Sequence, residues 1–402
     1  MTQPIYDCVI VGGGPCGATA ADDLAREGKR VLLLDKAGRI KPCGGAIPPR
    51  AIDMFEIDEA QLVARIKRAR MVSPKGKHVD IPINGGYVGM VDREHFDEYL
   101  RKRAAEHGAT RATGTYIGIE REGAQCFVLY RPKDAGHDAR PVRVPTRFVI
   151  GADGARSSVA RQEVPGGDAI PYVIAYHEIV RSPETISPDG FEPDRCDVYY
   201  DGRISPDFYG WVFPHGEQTS VGMGTEIDGF SLKNATRDLR GVAGLARQET
   251  IRKEGAPIPL KPLDKWDNGR DVVLAGDAAG VVAPSSGEGI FYAMYAGRCA
   301  AEAVAEALIA ETDRARAKAL SRARGRFLRQ HGGVFWILRK MQDYWYCDDN
   351  RRERFVAICR DKDVQELTFD AYMNKELVKA KPLAHMRIFF KNVAHLMGIV
   401  PA

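Results

Sequence analysis

The fold of this 402-residue chain is decided near its start by residues 6–17, which read YDCVIVGGGPCG. The apolar run predicts a buried strand, the glycines form a Gly-x-Gly-x-x-Gly turn, and Ala18 to Glu27 predict a helix. A second apolar run, Val31 to Leu34, ends at Asp35. Such glycines allow a tight turn, close approach of a pyrophosphate and close packing of helix on strand, while the acid can bind ribose hydroxyls. This βαβ unit predicts dinucleotide binding, rather than a glycine-rich turn without a ligand.

Composition and charge exclude several classes of protein. The chain is too long for one compact core and suits two domains, and 44% hydrophobic with 28% charged residues exclude disorder and fibrous repeats. The net charge of +4 is far below that of a dedicated nucleic-acid binder. Residues 311–402 nevertheless hold 19 Lys and Arg against 11 Asp and Glu. This basic C-terminal region could rest on an anionic membrane surface or meet acidic groups of a ligand, or it could form a solvated helical face.

The eight cysteines are scattered without a Cys-x-x-Cys pair, so we expect neither a metal site nor a disulfide framework. The N-terminal residues lead into the first strand without a basic and apolar signal segment. No stretch approaches the roughly 18 apolar residues of a membrane span. These features predict a cytoplasmic protein that is at most peripheral to a membrane.

The pattern of the chain changes after the first βαβ unit. Residues 40–50 hold three prolines and two glycines, which is typical of a loop, and residues 93–107 predict a helix. From residue 168 to 265, alternating apolar and polar runs predict an antiparallel sheet. Asp271 to Ala275 then predict a buried strand, which is followed by a small-residue helix from about 288 to 311 and by further helices.

Two more glycine-aspartate segments separate FAD from NAD. Residues 151–157, GADGARS, and residues 274–280, LAGDAAG, each follow an expected strand. An FAD fold needs such distant segments to enclose the rest of the nucleotide. Asp277 can bind ribityl hydroxyls, while the helix behind it points N–H groups at phosphate. The three segments together predict FAD.

A run of aromatic residues suggests the kind of substrate. Residues 206–214, PDFYGWVFP, follow the pattern Pro-x-x-Tyr-x-Trp-x-Phe-Pro. On a strand, this alternation places Tyr209, Trp211 and Phe213 on one face, as a wall of rings. Such a wall would suit a long unsaturated hydrocarbon, although aromatic residues at this spacing also form plain core.

The three glycine-bearing segments, in this order, resemble the FAD-binding family that includes aromatic hydroxylases and geranylgeranyl reductases. The pattern at 206–214 looks like the signature of the geranylgeranyl reductases, and KPCGG at 41–45 matches the segment in which that family carries a cysteine. Phe355 to Cys359 and residues 363–372 resemble the chlorophyll and bacteriochlorophyll branch of the family. The resemblance covers essentially the whole chain.

This resemblance implies an α/β (α+β) fold, in which a Rossmann-like FAD-binding domain of the aromatic-hydroxylase type is interleaved with an antiparallel-sheet substrate domain and followed by a C-terminal helical region. The expected ranges are 1–75, 90–167 and 266–311 for the FAD-binding domain, 76–89 and 168–265 for the substrate domain, and 312–402 for the helical region.

The resemblance also implies an activity: saturation of three double bonds of the geranylgeranyl tail of (bacterio)chlorophyll, or of geranylgeranyl diphosphate, to phytyl, with FAD as cofactor and NADPH as transient reductant. Its catalytic residues would be Cys43, Tyr209 and Trp211, and Phe213 would line the substrate with the last two. The implied cofactor-binding residues are Gly12, Gly14, Pro15, Cys16, Gly17, Asp35, Lys36, Cys43, Gly44, Arg93, Asp153, Gly154, Gly276, Asp277, Gly287, Gly289 and Ile290. The basic region would bring the protein to the photosynthetic membrane.

Alternatives stay open for two of these residues and for the function. Cys43 could donate a proton to an alkene carbon, or it could be a buried structural cysteine. Arg93 could approach the cofactor, or it could be a surface arginine of its helix. A flavin-dependent monooxygenase or hydroxylase would share the three FAD segments, and a non-catalytic prenyl-binding protein would share the fold.

Overall fold

The computed structural model describes residues 4–36, 40–83, 86–136, 139–184, 190–366, 373 and 375. The strands are β1 (Tyr6–Val11), β2 (Val31–Asp35), β3 (Ala46–Ile47), β4 (Leu62–Ile66), β5 (Arg68–Val72), β6 (His78–Pro82), β7 (Val88–Val91), β8 (Thr110–Glu122), β9 (Gln125–Pro132), β10 (Val142–Gly151), β11 (Tyr172–Arg181), β12 (Arg195–Tyr199), β13 (Gly210–His215), β14 (Gln218–Thr225), β15 (Thr250–Pro259) and β16 (Val272–Leu274). The α-helices are α1 (Pro15–Arg26), α2 (Pro49–Met54), α3 (Arg93–Glu106), α4 (Ser158–Glu163), α5 (Leu232–Val242), α6 (Ile290–Ile309), α7 (Asp313–Trp345) and α8 (Asp349–Ile358).

The chain forms two compact units, each built from three separate stretches. The first unit comprises residues 1–41, 93–172 and 257–332. The second unit comprises residues 42–92, 173–256 and 333–402.

The first unit is built on five parallel strands in the order β8-β2-β1-β10-β16. Residues 8–11 and 31–34 are buried throughout, as expected of parallel strands that are covered on both faces. Helix α1 connects β1 to β2, and both α3 and α6 pack on it. Strand β9 pairs antiparallel with β8 and with the first half of β10. The predicted Rossmann-like arrangement is confirmed, and the ends of β1, β10 and β16 carry the three glycine-bearing segments.

The second unit is built on a seven-stranded sheet in the order β15-β11-β14-β13-β12-β5-β6 and a three-stranded sheet in the order β3-β7-β4. Strands β11, β14, β13 and β12 pair antiparallel, as predicted, whereas β12 and β5 are parallel. One face of the larger sheet packs on α5 through residues that include Val212, Met223 and Leu239. Because side chains alternate along a strand, Trp211 and Phe213 belong to the opposite face.

The elements differ from expectation in three places. Helix α1 begins at Pro15, because the fixed φ of proline suits the first helical position. The expected loop at 40–50 is interrupted by β3 and by the start of α2. Residues 42–75, expected in the FAD-binding domain, lie in the second unit because β3 pairs with β7 and β5 pairs with β12.

The C-terminal region is helical as far as the structure describes it. Helices α7 and α8 are followed by helical residues at 362–366. Residues 312–332, expected in a separate region, lie in the first unit. Most of the branch-like segment 363–372 lies outside the described residues. Among the described helices, none has the length and apolar character needed to cross a membrane.

Candidate active site

The glycines of the turn between β1 and α1 differ in the space around the position that a Cβ would occupy. Gly12 has φ +108°, and a Cβ there would lie 2.3 Å from the carbonyl oxygen of Ala152. A Cβ at Gly17 would lie 1.8 Å from the carbonyl oxygen of Gly12. At Gly14, by contrast, no heavy atom of the described structure beyond its chain neighbours lies within 4 Å of that point. The fold itself therefore requires Gly12 and Gly17, whereas Gly14 keeps space open at the start of α1.

The start of α1 is suited to an anion. Gly14 is the N-cap residue, and no side chain in the described structure caps the helix there. The first-turn N–H groups are thus available to a ligand, and the helix dipole favours a negative charge at this position. Pro15 and Cys16 follow in the first turn, and burial raises the pKa of the Cys16 thiol well above its usual value.

Asp35, at the end of β2, binds the glycine turn directly. Its Oδ2 accepts a hydrogen bond from the Gly13 N–H at 2.9 Å. Arg101 of α3 donates to the Gly13 carbonyl oxygen at 3.1 Å and lies 3.9 Å from Asp35 Oδ1. Sequence reasoning missed Arg101, because nothing in the helix pattern of α3 sets it apart from the neighbouring arginines. Asp35 stays partly exposed, so it can also receive a hydroxyl. The adjacent Lys36 is exposed.

The second glycine-bearing segment, residues 151–157, binds the N-terminus of helix α4 through Asp153. One oxygen of Asp153 accepts hydrogen bonds from the Ser158 and Val159 N–H groups at 2.7 and 3.3 Å, and the other accepts one from the Ser157 hydroxyl. The carboxylate therefore holds the N-terminus of α4. Its burial raises its pKa. The next residue, Gly154, has open space around the position of a Cβ.

The third segment lies against the first one. A Cβ at Gly276 would lie 2.9 Å from both Cβ and Sγ of Cys16. Asp277 lies in a short 3₁₀ helix (Gly276–Ala279), is largely buried and forms an ion pair with Lys41. A Cβ at Gly289, the N-cap of α6, would lie 3.9 Å from Asp277 Oδ1.

The first unit thus brings two helix N-termini and two carboxylates to the carboxyl ends of its parallel strands. The N-cap residue of α6, Gly289, has no side chain, and Glu288 Oε1 accepts a hydrogen bond from the Phe291 N–H of the first turn at 3.3 Å. The first residue of α6, Ile290, is buried, and Gly287 lies two residues before the N-cap. Carboxyl ends of parallel strands are where open α/β sheets bind ligands.

Arg93, the first residue of α3, is buried rather than a surface arginine. Its Nε and Nη2 donate to the two carboxylate oxygens of Asp97 at 2.7 Å each. This bidentate pair fixes the guanidinium on its own helix.

In the second unit, the loop that carries Cys43 lies against the aromatic strand. Cys43 is half-buried, so it is not a closed core cysteine, and its Sγ accepts a hydrogen bond from the Gly45 N–H at 3.4 Å. A Cβ at Gly44 would lie 3.0 Å from Cδ2 of Phe213. His215 donates through Nδ1 to the Phe213 carbonyl oxygen at 2.9 Å, and burial lowers the pKa of its imidazole. Sequence reasoning missed this histidine, although it directly follows the aromatic pattern.

The three aromatic rings of the pattern follow one another along the chain, with Tyr209 directly before β13 and Trp211 and Phe213 on it. The ring centroids of Tyr209 and Trp211 are 6.0 Å apart, and those of Trp211 and Phe213 are 6.3 Å apart. Tyr209 and Trp211 are 8% and 6% exposed, and Phe213 is half-buried beside the core cluster around Met90. The second unit therefore joins a continuous aromatic surface to a thiol-bearing loop.

Known proteins resemble the chain over most of its length. The FAD binding domain family matches residues 6–167. A geranylgeranyl diphosphate reductase of Rhodobacter capsulatus is 59% identical over 98% of this chain and 98% of its own. A chloroplastic geranylgeranyl diphosphate reductase of Oryza sativa subsp. japonica is 36% identical over 96% of this chain and 85% of its own.

A solved structure extends the likeness to the fold. A geranylgeranyl bacteriochlorophyll reductase-like protein of Thermoplasma acidophilum superposes with a TM-score of 0.79, at 23% identity, over 95% of this chain and 100% of its own. At 23% identity, the superposition shows a shared fold alone.

Proposed function

Since the chain belongs to the geranylgeranyl diphosphate reductase family, we propose that it is an FAD-dependent enzyme that saturates three double bonds of a geranylgeranyl tail to give phytyl, with NADPH as the source of hydride. The observation that carries this proposal is the 59% identity that extends over both compact units. The substrate is the tail of (bacterio)chlorophyll or geranylgeranyl diphosphate.

The residues of the first unit fit FAD. The open space at Gly14 and the uncapped start of α1 suit a pyrophosphate, and Asp35 suits a ribose hydroxyl. Asp277 and the start of α6 suit the ribityl chain and phosphate. When bound, FAD supplies the hydride chemistry that amino-acid side chains lack. Asp153 would act indirectly, because its carboxylate holds α4.

The residues of the second unit suit an isoprenoid chain. Tyr209, Trp211 and Phe213 offer a continuous apolar and aromatic surface, on which the chain would bury its methyl and methylene groups. We assign these three residues to the substrate, and they would hold each alkene in the orientation that reduction requires.

Cys43 is our candidate proton donor. An isolated alkene accepts hydride poorly, so a proton must reach the second carbon of the double bond as hydride reaches the first. The Cys43 thiol would give up that proton, become a thiolate and be reprotonated by water. Cys43 is half-buried, and the next residue, Gly44, lies against Phe213, so the loop brings the cysteine to the aromatic strand.

We also propose that the protein works in the cytoplasm and rests on the photosynthetic membrane through its basic C-terminal region. This region begins with α7, on which Trp336 is 65% exposed and Lys340 follows one turn later. An exposed tryptophan beside cations suits a membrane interface with anionic lipids. Sedimentation with anionic but not with neutral vesicles would support this arrangement, and no sedimentation with either would contradict it.

The function is tested by incubating the FAD-loaded protein with NADPH and geranylgeranylated pigment, in parallel with geranylgeranyl diphosphate. Mass spectrometry should show three successive gains of two hydrogens. A product that gains oxygen as oxygen is consumed would show a hydroxylase, and a protein that binds the prenyl compound without flavin or turnover would show a carrier.

A further inference from the structure

A chain of polar side chains lies buried on the face of the seven-stranded sheet that carries Trp211. The Trp211 Nε1 lies 3.1 Å from Ser220 Oγ on β14. Ser220 Oγ lies 2.9 Å from His177 Nδ1 on β11. His177 Nε2 lies 3.0 Å from Glu254 Oε2 on β15. Four strands thus contribute one side chain each.

One assignment of hydrogens satisfies every group in this chain. An indole N–H can only donate, so Ser220 Oγ accepts from Trp211. The hydroxyl hydrogen is then given to Nδ1 of a neutral His177, and the Nε2–H of His177 is donated to the Glu254 carboxylate. Ser220 is fully buried and His177 is 3% exposed, so neither has water as a substitute partner. Each group depends on the next one for its hydrogen bond.

The ring of Trp211 is held at a second point as well. A Cβ at Gly222 would lie 2.5 Å from Trp211 Cζ2 and 2.4 Å from the Cβ of His177. The indole therefore lies over a position where only glycine fits, while its N–H is held by Ser220. These two constraints fix both the plane of the ring and its depth on the sheet.

Packing of the sheet alone does not require this series of hydrogen-bonded side chains. Burying a hydroxyl and an imidazole costs several kcal/mol unless every partner is in place, and apolar residues of similar volume would pack without that cost. The Glu254 carboxylate at the end of the chain is partly buried and also pairs with Arg252 at 2.9 Å. Satisfied polar networks in cores specify one arrangement over its alternatives. Here the arrangement that is specified is that of Trp211.

We propose that Ser220, His177 and Glu254 are positioning residues that fix the indole of Trp211 so that it holds the isoprenoid chain in register for successive reductions. The inference rests on the proposed function, because it assigns a task to the substrate-facing strand. The three residues act through Trp211 and touch neither substrate nor cofactor.

The test compares Ser220→Ala and His177→Leu with two matched variants. His177→Asn places an amide oxygen near the position of Nδ1 and should again accept the Ser220 hydroxyl hydrogen. Ser182→Ala removes a similar hydrogen bond of the same region, between Ser182 Oγ and Thr219 Oγ1 at 2.8 Å, without touching Trp211. FAD content and thermal melts show which variants are folded.

Two readouts are needed. In the FAD-loaded protein, the Trp211 indole N–H should exchange with solvent faster in Ser220→Ala and His177→Leu, and at the wild-type rate in the two matched variants. With geranylgeranyl diphosphate, Ser220→Ala and His177→Leu should release partly reduced tails. Their kcat/KM for the last reduction should be lowered about tenfold, which corresponds to the free energy of one hydrogen bond. The loss should appear mainly in KM.

The outcomes separate this inference from the proposed function. An unchanged indole exchange rate or an unchanged product pattern in folded Ser220→Ala overturns the inference. A comparable loss in Ser182→Ala also overturns it, because the effect is then one of general stability. If the wild-type protein reduces no double bond, the proposed function fails, and the indole exchange alone decides whether the polar chain fixes Trp211.

Discussion

Replacing Gly14 by valine separates the ligand site from the fold. Gly14 has φ −72° and ψ −178°, an extended conformation that valine readily adopts, and no heavy atom of the described structure beyond its chain neighbours lies within 4 Å of the new Cβ. Valine lowers the entropy of the unfolded chain, worth about 0.4–1 kcal/mol, but is a poorer N-cap residue by about the same amount. The free energy of unfolding should therefore change by less than about 1 kcal/mol.

Gly14→Val should mainly lower the affinity for FAD. A branched side chain fills the space that a pyrophosphate would occupy and separates it from the first-turn N–H groups of α1. Losing two charge-assisted hydrogen bonds, each worth about 1.5–3 kcal/mol, weakens binding by at least about a hundredfold. Isothermal titration of the flavin-free protein with FAD, beside a urea denaturation curve, measures both quantities.

Two other glycine variants control this experiment. Gly325→Val, in an exposed position of α7 with no such neighbour within 4 Å, should leave FAD binding at the wild-type level. Gly12→Val should prevent folding, because its Cβ would overlap the backbone at Ala152. A folded Gly14→Val protein that binds FAD as tightly as the wild type would refute the placement of the cofactor at this turn.

Three further variants test the second unit. Cys43→Ser should bind FAD and be reduced by NADPH as the wild type is, but it should reduce alkenes more slowly, whereas Cys347→Ser, at an exposed thiol, should reduce them at the wild-type rate. An unchanged rate of alkene reduction in Cys43→Ser would show that this thiol does not donate the proton. Arg352→Ala should lower the free energy of unfolding by about 2–4 kcal/mol in urea melts, because the buried guanidinium donates to the carbonyl oxygens of Pro206 and Tyr346, and a loss below about 1 kcal/mol would contradict that role. Burial lowers the pKa of His215, so the unfolded state binds a proton at a higher pH than the folded state does, and the free energy of unfolding should fall as the pH drops below about 6.5. His215→Gln should flatten this pH dependence between about pH 5 and 7, whereas His78→Gln, at an exposed histidine, should leave it unchanged.

The parts of the fold that the sequence could predict are those with local causes. The β1-α1-β2 unit follows from two buried apolar runs and a glycine turn within 30 residues, and the alternation in β11 and β14 follows from one face that meets α5. The same local logic placed Trp211 and Phe213 on one face of β13, whereas Tyr209, expected on that face, lies directly before the strand. These features depend on neighbours in the sequence, which periodicity can read.

The parts that escaped prediction depend on distant partners. Residues 42–75 joined the second unit because their strands pair with β7 and β12, and nothing within the segment identifies those partners. Arg101 at the glycine turn and Lys41 at Asp277 are contacts across 88 and 236 positions of the chain. Gly222 looks like any strand glycine until the indole of Trp211 is seen to lie over it.

The most direct test of the central claim is a single-turnover measurement without oxygen. The FAD-loaded protein is reduced with one equivalent of NADPH and mixed with geranylgeranyl diphosphate, while the absorbance of oxidised flavin and the mass of the prenyl product are followed together. One flavin should be reoxidised for each double bond that gains two hydrogens. Flavin that stays reduced until oxygen is admitted, with the prenyl tail unchanged in mass, would contradict it.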